Sequence, residues 1–197
     1  GNQVAEPVRL HQKARGRDLR QRVLSALRLL RIPDPEARLG DYPHQLSGGM
    51  RQRVVGAIAL ACQPRLLIAD AATTALDATI PAQYLALLRD IHQREGLSII
   101  FVTHDFGIVA RMCHRVAVMY AGKIVEMAGV RQLFDQPAHP YTVALLESVP
   151  PLDCRVDRLA SIQGQPPRLH KLPPGCSFSP RCPRSDSRCC QEAPPQV

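Results

Sequence analysis

The sequence predicts an α/β fold built on a parallel sheet, with an irregular Pro- and Cys-rich segment at its C-terminal end. Three observations carry this. Two apolar runs short enough to be buried strands, Leu66-Leu67-Ile68-Ala69 and residues 98–102, alternate with stretches whose apolar residues recur at helical spacing, the pattern of strands joined through helices. Both runs end in polar residues, Asp70 after the first and Thr103-His104-Asp105 after the second, and ligands of open parallel sheets sit at the carboxyl ends of the strands. Of the 18 prolines, 12 fall in residues 136–197, so the packed body is expected to end near residue 148.

Taken in order, residues 18–31 read as a helix with Leu19, Val23, Ala26, Leu27 and Leu30 on one face, Asp18 as its N-cap and Pro33 just past its end. Residues 42–46 form a loop. Ser47 caps a second helix whose buried face is Met50, Val54, Ala57, Ile58 and Ala61. The run ending at Asp70 is a buried parallel strand. Residues 80–94 form a helix closed by Gly96, residues 98–102 a second buried strand, and residues 105–112 a short helix. Residues 116–120 and 123–126 pair as a hairpin around Ala121-Gly122, and residues 139–149 form a last helix. The Pro-rich stretch after it reads as an extended strap.

The length of 197 residues suffices to bury a core. The longest apolar run, residues 54–62, is about half of what a membrane-spanning helix needs. The net charge of +8 is uneven: residues 1–60 hold 11 basic and 5 acidic side chains, residues 61–136 hold 7 of each. The arginines of the first third are spread along helical stretches with few aromatics between them, so they read as a solvated face, with an anionic partner or a neighbouring subunit as the alternative. The chain begins Gly1-Asn2-Gln3, without a signal peptide, so a reducing compartment is expected for its seven cysteines. Cys62 and Cys113 lie in apolar stretches and read as small core residues. Cys176, Cys182, Cys189 and Cys190 crowd the tail, where a metal is favoured over disulfides.

The strongest chemical signal is Leu46-Ser47-Gly48-Gly49-Met50-Arg51-Gln52-Arg53. Two glycines behind a capping serine leave backbone amides free at a helix N-terminus, unobstructed by side chains, where the helix dipole favours an anion. Asp70, at the end of an apolar strand, is placed to present a carboxylate to a nucleotide-bound Mg²⁺, a hard cation that takes oxygen ligands.

Together these segments resemble the ATP-binding subunits of ABC transporters. Residues 46–53 are similar to the signature motif, residues 66–70 to the Walker B strand, Ala75-Leu76-Asp77 to the D-loop, and His104 after Phe101-Val102-Thr103 to the H-switch. His139-Pro140-Tyr141-Thr142, Pro166-Pro167 and residues 175–183 resemble the C-terminal extension of the oligopeptide and dipeptide import branch, some relatives of which import nickel. The resemblance implies a P-loop NTPase-type nucleotide-binding domain in three parts: a helical subdomain with the signature motif at 1–62, the catalytic α/β core at 63–135, and the transporter extension at 136–197. It implies ATP and Mg²⁺ as cofactors. It implies a head-to-tail ATPase dimer with a like or unlike second subunit, two permease subunits and an extracytoplasmic peptide-binding protein, with no nucleic acid. The expected location is peripheral, on the cytoplasmic face of the inner membrane. By resemblance Ser47, Gly48 and Gly49 contact the γ-phosphate of the partner's ATP, Asp70 holds Mg²⁺ through water, His104 contacts the γ-phosphate of this subunit's nucleotide, and Asp77 couples the two sites. Arg51 and Gln52 support the signature helix.

Two departures from the family pattern stand out. These residues contain no Gly-x-x-x-x-Gly-Lys-Ser/Thr, and residues 1–7 resemble the segment after the glutamine loop. The expectation is therefore a fragment lacking the N-terminal strands and phosphate loop. Ala71-Ala72 stands where the family has Glu-Pro; alanine cannot activate or position the attacking water, so hydrolysis by this chain is expected to be deficient. A degenerate site, an engineered trap and a decayed or erroneous sequence all account for it. In the tail, Cys176-x5-Cys182-x6-Cys189 resembles the iron–sulfur cysteine pattern of this branch. A [4Fe–4S] cluster would take four thiolates, with Cys190 or Cys154 as the fourth, and zinc would accept the same ligands. Two other classes stand beside the transporter reading. A DNA-repair or chromosome-organising ATPase would need long heptad arms, and none is present in these residues. A non-enzymatic iron–sulfur interaction module would leave residues 46–53 and His104 without a purpose.

Overall fold

A computed structural model describes residues 1–70, 79–150 and 160–194 of the chain. They fall into two compact units, Gly1–Asp105 and Phe106–Val197.

The first unit opens with three helices packed on one another: α1 (Asn2–Gln12), α2 (Gly16–Leu29) and α3 (Gly48–Leu60). The sequence gives no clear sign of α1 because Pro7 lies inside it, and an internal proline normally breaks a helical pattern. Val4, Ala5 and Val8 bury its inner face all the same. The start of α2 lies ahead of the expected one. Arg15 is its N-cap, and Asp18 sits in the first turn, where it pairs with Arg22 at 3.0 Å. Val23, Ala26, Leu27 and Leu30 are buried as the periodicity predicts, while Leu19 is half-buried. In α3 the buried stripe differs from the expected one. Ala57 and Ala61 are buried, but Met50, Val54 and Ile58 are only half-buried, and Gly56 and Leu60 take their place. Small residues let neighbouring helices approach this side of α3, so close packing and not bulk selects the inner face.

Strands β1 (Leu66–Asp70) and β2 (Ser98–Val102) pair in parallel, with Leu66 opposite Ser98 and Asp70 opposite Val102. Helix α4 (Thr79–Glu95) joins them, and Gly96 follows it at φ +65°, the left-handed conformation that suits glycine after a helix. Leu85, Leu88 and Ile91 bury the inner face of α4. The expectation of strands buried on both faces is not met. Leu66, Ile68, Ile100 and Val102 share one face of the pair and are 48%, 64%, 50% and 51% exposed.

The second unit comprises α5 (Phe106–Met112), β3 (Arg115–Tyr120), β4 (Lys123–Gly129), α6 (Val130–Asp135), α7 (Pro140–Glu147) and α8 (Ser187–Gln191). The hairpin turns at Ala121 and Gly122, both at positive φ (48° and 79°), as a two-residue turn between right-twisted strands requires. Its antiparallel register shifts between Val118 and Met119. His139 caps α7, its Nδ1 accepting from the Tyr141 amide at 3.1 Å. Cys62 and Cys113, expected in the core, are only half-buried. Among the described residues no helix is long and apolar enough to cross a membrane.

Candidate functional site

The signature segment is built as its sequence dictates. Ser47 has extended backbone angles, and its Oγ accepts the Met50 amide at 3.3 Å while its carbonyl accepts the Arg51 amide at 2.9 Å. The serine is exposed and the two glycines half-buried. The first amides of a helix have no intrahelical acceptor. Ser47 satisfies that of Met50, and those of Gly48 and Gly49 have no acceptor within the helix. The helix that carries them packs on α1, α2 and α4.

Asp70 and His104 belong to a second group. The parallel register sets Asp70 level with Val102, so His104, two residues further on, leaves the same end of the strand pair. The Asp105 amide donates to Thr103 Oγ1 at 3.0 Å, closing the turn that carries the histidine. Asp70 and His104 are both exposed. An exposed carboxylate at a strand end fits the oxygen donor that Mg²⁺ requires. Ala71, Ala72 and Asp77 lie outside the described residues.

The cysteine tail is organised differently from the expectation. The Cys176 amide donates to the Cys189 carbonyl at 2.8 Å, which brings two of the expected ligands side by side. Cys182 and Cys190 do not complete a set: among the described residues no group of three or more His, Cys, Asp or Glu side chains is placed to hold a metal ion. Cys189 and Cys190 are consecutive on α8, and neighbours on a helix point about 100° apart. Cys154 lies outside the described residues. The described thiols therefore do not fit a [4Fe–4S] cluster.

Phe178 and Arg181 anchor this tail, and no periodicity in the sequence marks either one. Phe178 is 1% exposed and packs against the rings of Tyr120 and Tyr141 at 5.2 and 5.3 Å between centroids. Arg181 donates to the carbonyls of Gln163 and Ile162 at 2.9 and 3.0 Å and to Tyr120 Oη at 3.3 Å. A side chain at Gly175 would collide with the backbone of Cys189 and Cys190, so glycine there permits the close pass of the two segments. Glu126 of β4 is buried, and its carboxylate accepts the amides of Ala138 and His139 at 2.8 and 2.9 Å. Burial would raise its pKa, but the Ala138 amide, the Thr142 side chain and the His139 amide, together with the attraction of His139, prevail and hold it below the ordinary carboxylate value. Burial lowers the pKa of His139, against the opposing attraction of Glu126.

Residues 2–74 match the ABC transporter family, and residues 125–189 match the family described as oligopeptide/dipeptide transporter, C-terminal region. The chain is 51% identical over 195 residues to a probable peptide ABC transporter ATP-binding protein of Sinorhizobium fredii, covering 98% of this chain and 58% of that protein. The chain belongs to the ABC transporter family, in its oligopeptide/dipeptide branch. It is 50% identical over 197 residues to the dipeptide transport ATP-binding protein DppD of Bacillus subtilis, covering all of this chain and 59% of that protein. The chain thus spans a little under three fifths of the length of these ABC relatives. Among solved structures it is similar to a dimeric bacterial ABC transporter cassette, at 32% identity and a TM-score of 0.53, over 65% of this chain and 55% of that one. The two family matches include Ser47 and Asp70 in one and the Phe178 anchor in the other; His104 lies between them.

Proposed function

We propose that this chain is part of the ATP-binding subunit of a peptide importer, and that the start of α3 completes an ATP site held mainly by a partner ATPase subunit. The observation that carries the reading is the Ser47 cap, which satisfies the Met50 amide and leaves two glycine amides facing outward at a positive helix end. The names of the Sinorhizobium and Bacillus relatives, peptide and dipeptide transport ATP-binding proteins, support the substrate class. The dimeric state of the solved cassette supports a paired arrangement.

In this reading Ser47, Gly48 and Gly49 donate to the γ-phosphate oxygens of the partner's nucleotide. Asp70 would hold Mg²⁺ through water, His104 would hydrogen-bond the γ-phosphate of the nucleotide on its own side, and Asp77 would couple the two sites. Bound MgATP supplies the phosphoryl group whose cleavage drives transport. The subunit works peripherally at the cytoplasmic face of the membrane, with two permease subunits, a second ATPase and an extracytoplasmic peptide-binding protein. These 197 residues on their own do not turn over ATP: they hold no Gly-x-x-x-x-Gly-Lys-Ser/Thr, and Ala71 offers no base beside Asp70.

The test uses membrane vesicles carrying the chain, a partner ATPase and the permease pair, with the peptide-binding protein supplied on the extracytoplasmic side. Ser47→Arg, which fills the anion-binding helix end, is expected to abolish peptide-stimulated phosphate release, while the isolated chain releases phosphate at background rate. Unchanged release by the Ser47→Arg complex would refute the role of α3.

A further inference from the structure

The signature helix is tied to α4 along two lines, and neither follows from the motifs. The first is internal. Gly56 lies two turns into α3, and a Cβ built there would stand 2.7 Å from Tyr84 Oη and 3.1 Å from Leu30 Cδ1. Tyr84 of α4 is 5% exposed and Leu30, just past α2, is fully buried. The phenol therefore rests on bare backbone, at a point where three helical segments meet. The second line runs over the surface. Arg53, the last residue of the signature motif, donates to the Arg31 carbonyl at 3.0 Å. Arg31 stands at φ 52°, and its guanidinium reaches Asp90 of α4 at 2.8 Å. Asp90 in turn holds Arg94 at 2.8 Å.

The arrangement bears on how phosphate is met. The exposed ion pairs contribute little energy on their own, and they bear on the direction of α3. The buried contact is stiffer, because a packed interior has no spare volume to absorb a shift. Helix α4 leads directly into β2, and β2 leads into His104. A fixed seat between α3 and α4 thus sets the glycine amides of the signature relative to the strand that carries the histidine.

We infer that Tyr84, seated on Gly56, is a positioning residue for the signature motif: it sets the placement of Ser47, Gly48 and Gly49 toward the partner's nucleotide. This rests on the proposed role of α3. A methyl group at residue 56 must push α3 and Tyr84 apart by several tenths of an ångström to reach ordinary contact distance. Displacements of about 1 Å away from the chemistry can cost about a hundredfold in rate.

The experiment uses the same four-component vesicles. Gly56→Ala is expected to lower kcat for peptide-stimulated ATP hydrolysis at least tenfold. The KM for ATP should stay within about twofold, since the partner holds most of the nucleotide. Adding Tyr84→Phe removes the colliding oxygen and should restore kcat to within about threefold of the parent. Melting of each variant complex is followed alongside, with activity read well below its midpoint. The inference is overturned by a Gly56→Ala complex of parental kcat, by a double variant that does not regain activity, or by a loss that merely tracks the unfolded fraction. Ser47→Arg run in parallel separates the two ideas. If it leaves activity intact, the role of α3 itself fails; if it abolishes activity while Gly56→Ala does not lower it, only the positioning role fails.

Discussion

Glu126 is a carboxylate kept charged in a nearly closed site, 2% exposed, because two backbone amides converge on it and the Thr142 side chain and the charge of His139 add to them. Glu126→Ala would leave both amides buried without an acceptor, at a cost of about 1–3 kcal/mol; Glu126→Gln keeps one acceptor oxygen and should cost less. Thermal midpoints of the two variants check the order. The pH dependence has a definite sign. Glu126 and His139 are both held below their ordinary values in the folded chain, so the unfolded chain takes up protons first as pH falls. Their contribution is complete above about pH 6.5, the ordinary histidine value. It declines below that as His139 protonates and loses the acceptor for the Tyr141 amide, and declines again through the carboxylate range. A midpoint that rises between pH 7 and pH 5 would contradict this. None of it was legible in the sequence: Glu126 read as the end of a strand and His139 as the start of a helix, and their separation of 13 residues matches no local pattern.

At the level of elements, legibility follows the range of the forces. Local rules placed the Ser47 cap, the turn at Ala121-Gly122 and the inner face of α2, because capping, positive-φ turns and 3.6-residue periodicity act within a few residues. The inner face of α3 departs from the helical periodicity because it is chosen by the partners that its small residues admit. In the tail the cysteines are the visible pattern, whereas a buried aromatic, Phe178, holds it down. Phe178→Ala should remove about 3–5 kcal/mol from the packing of the tail on the hairpin. Limited proteolysis should then cleave residues 160–175 faster than in the parent, with the first unit protected as before. Equal cleavage rates would show that the Arg181 hydrogen bonds hold the tail without the ring.

For the molecule as a whole, motif order was enough to read the family, since four motifs in sequence need no knowledge of packing. What the motifs could not report is which strand faces the described residues cover. The alternation of apolar runs and helices led to an expectation of strands buried on both sides, as parallel sheets normally are. Yet Leu66, Ile68, Ile100 and Val102 line an open face, with Ile68 the most exposed of the four. Four branched apolar side chains side by side on two paired strands make a continuous patch, and patches of this kind lower solubility and take up apolar dyes. The 197-residue chain should therefore bind a dye of the anilinonaphthalene type while fully folded. Ile68 and Ile100 stand opposite each other in the register, so Ile68→Thr with Ile100→Thr interrupts the patch at its centre while keeping β-branched side chains suited to strands. Dye fluorescence of this pair should fall at least twofold and solubility should rise, with the circular dichroism spectrum unchanged. Fluorescence equal to that of the parent would locate the dye-binding surface elsewhere on the chain.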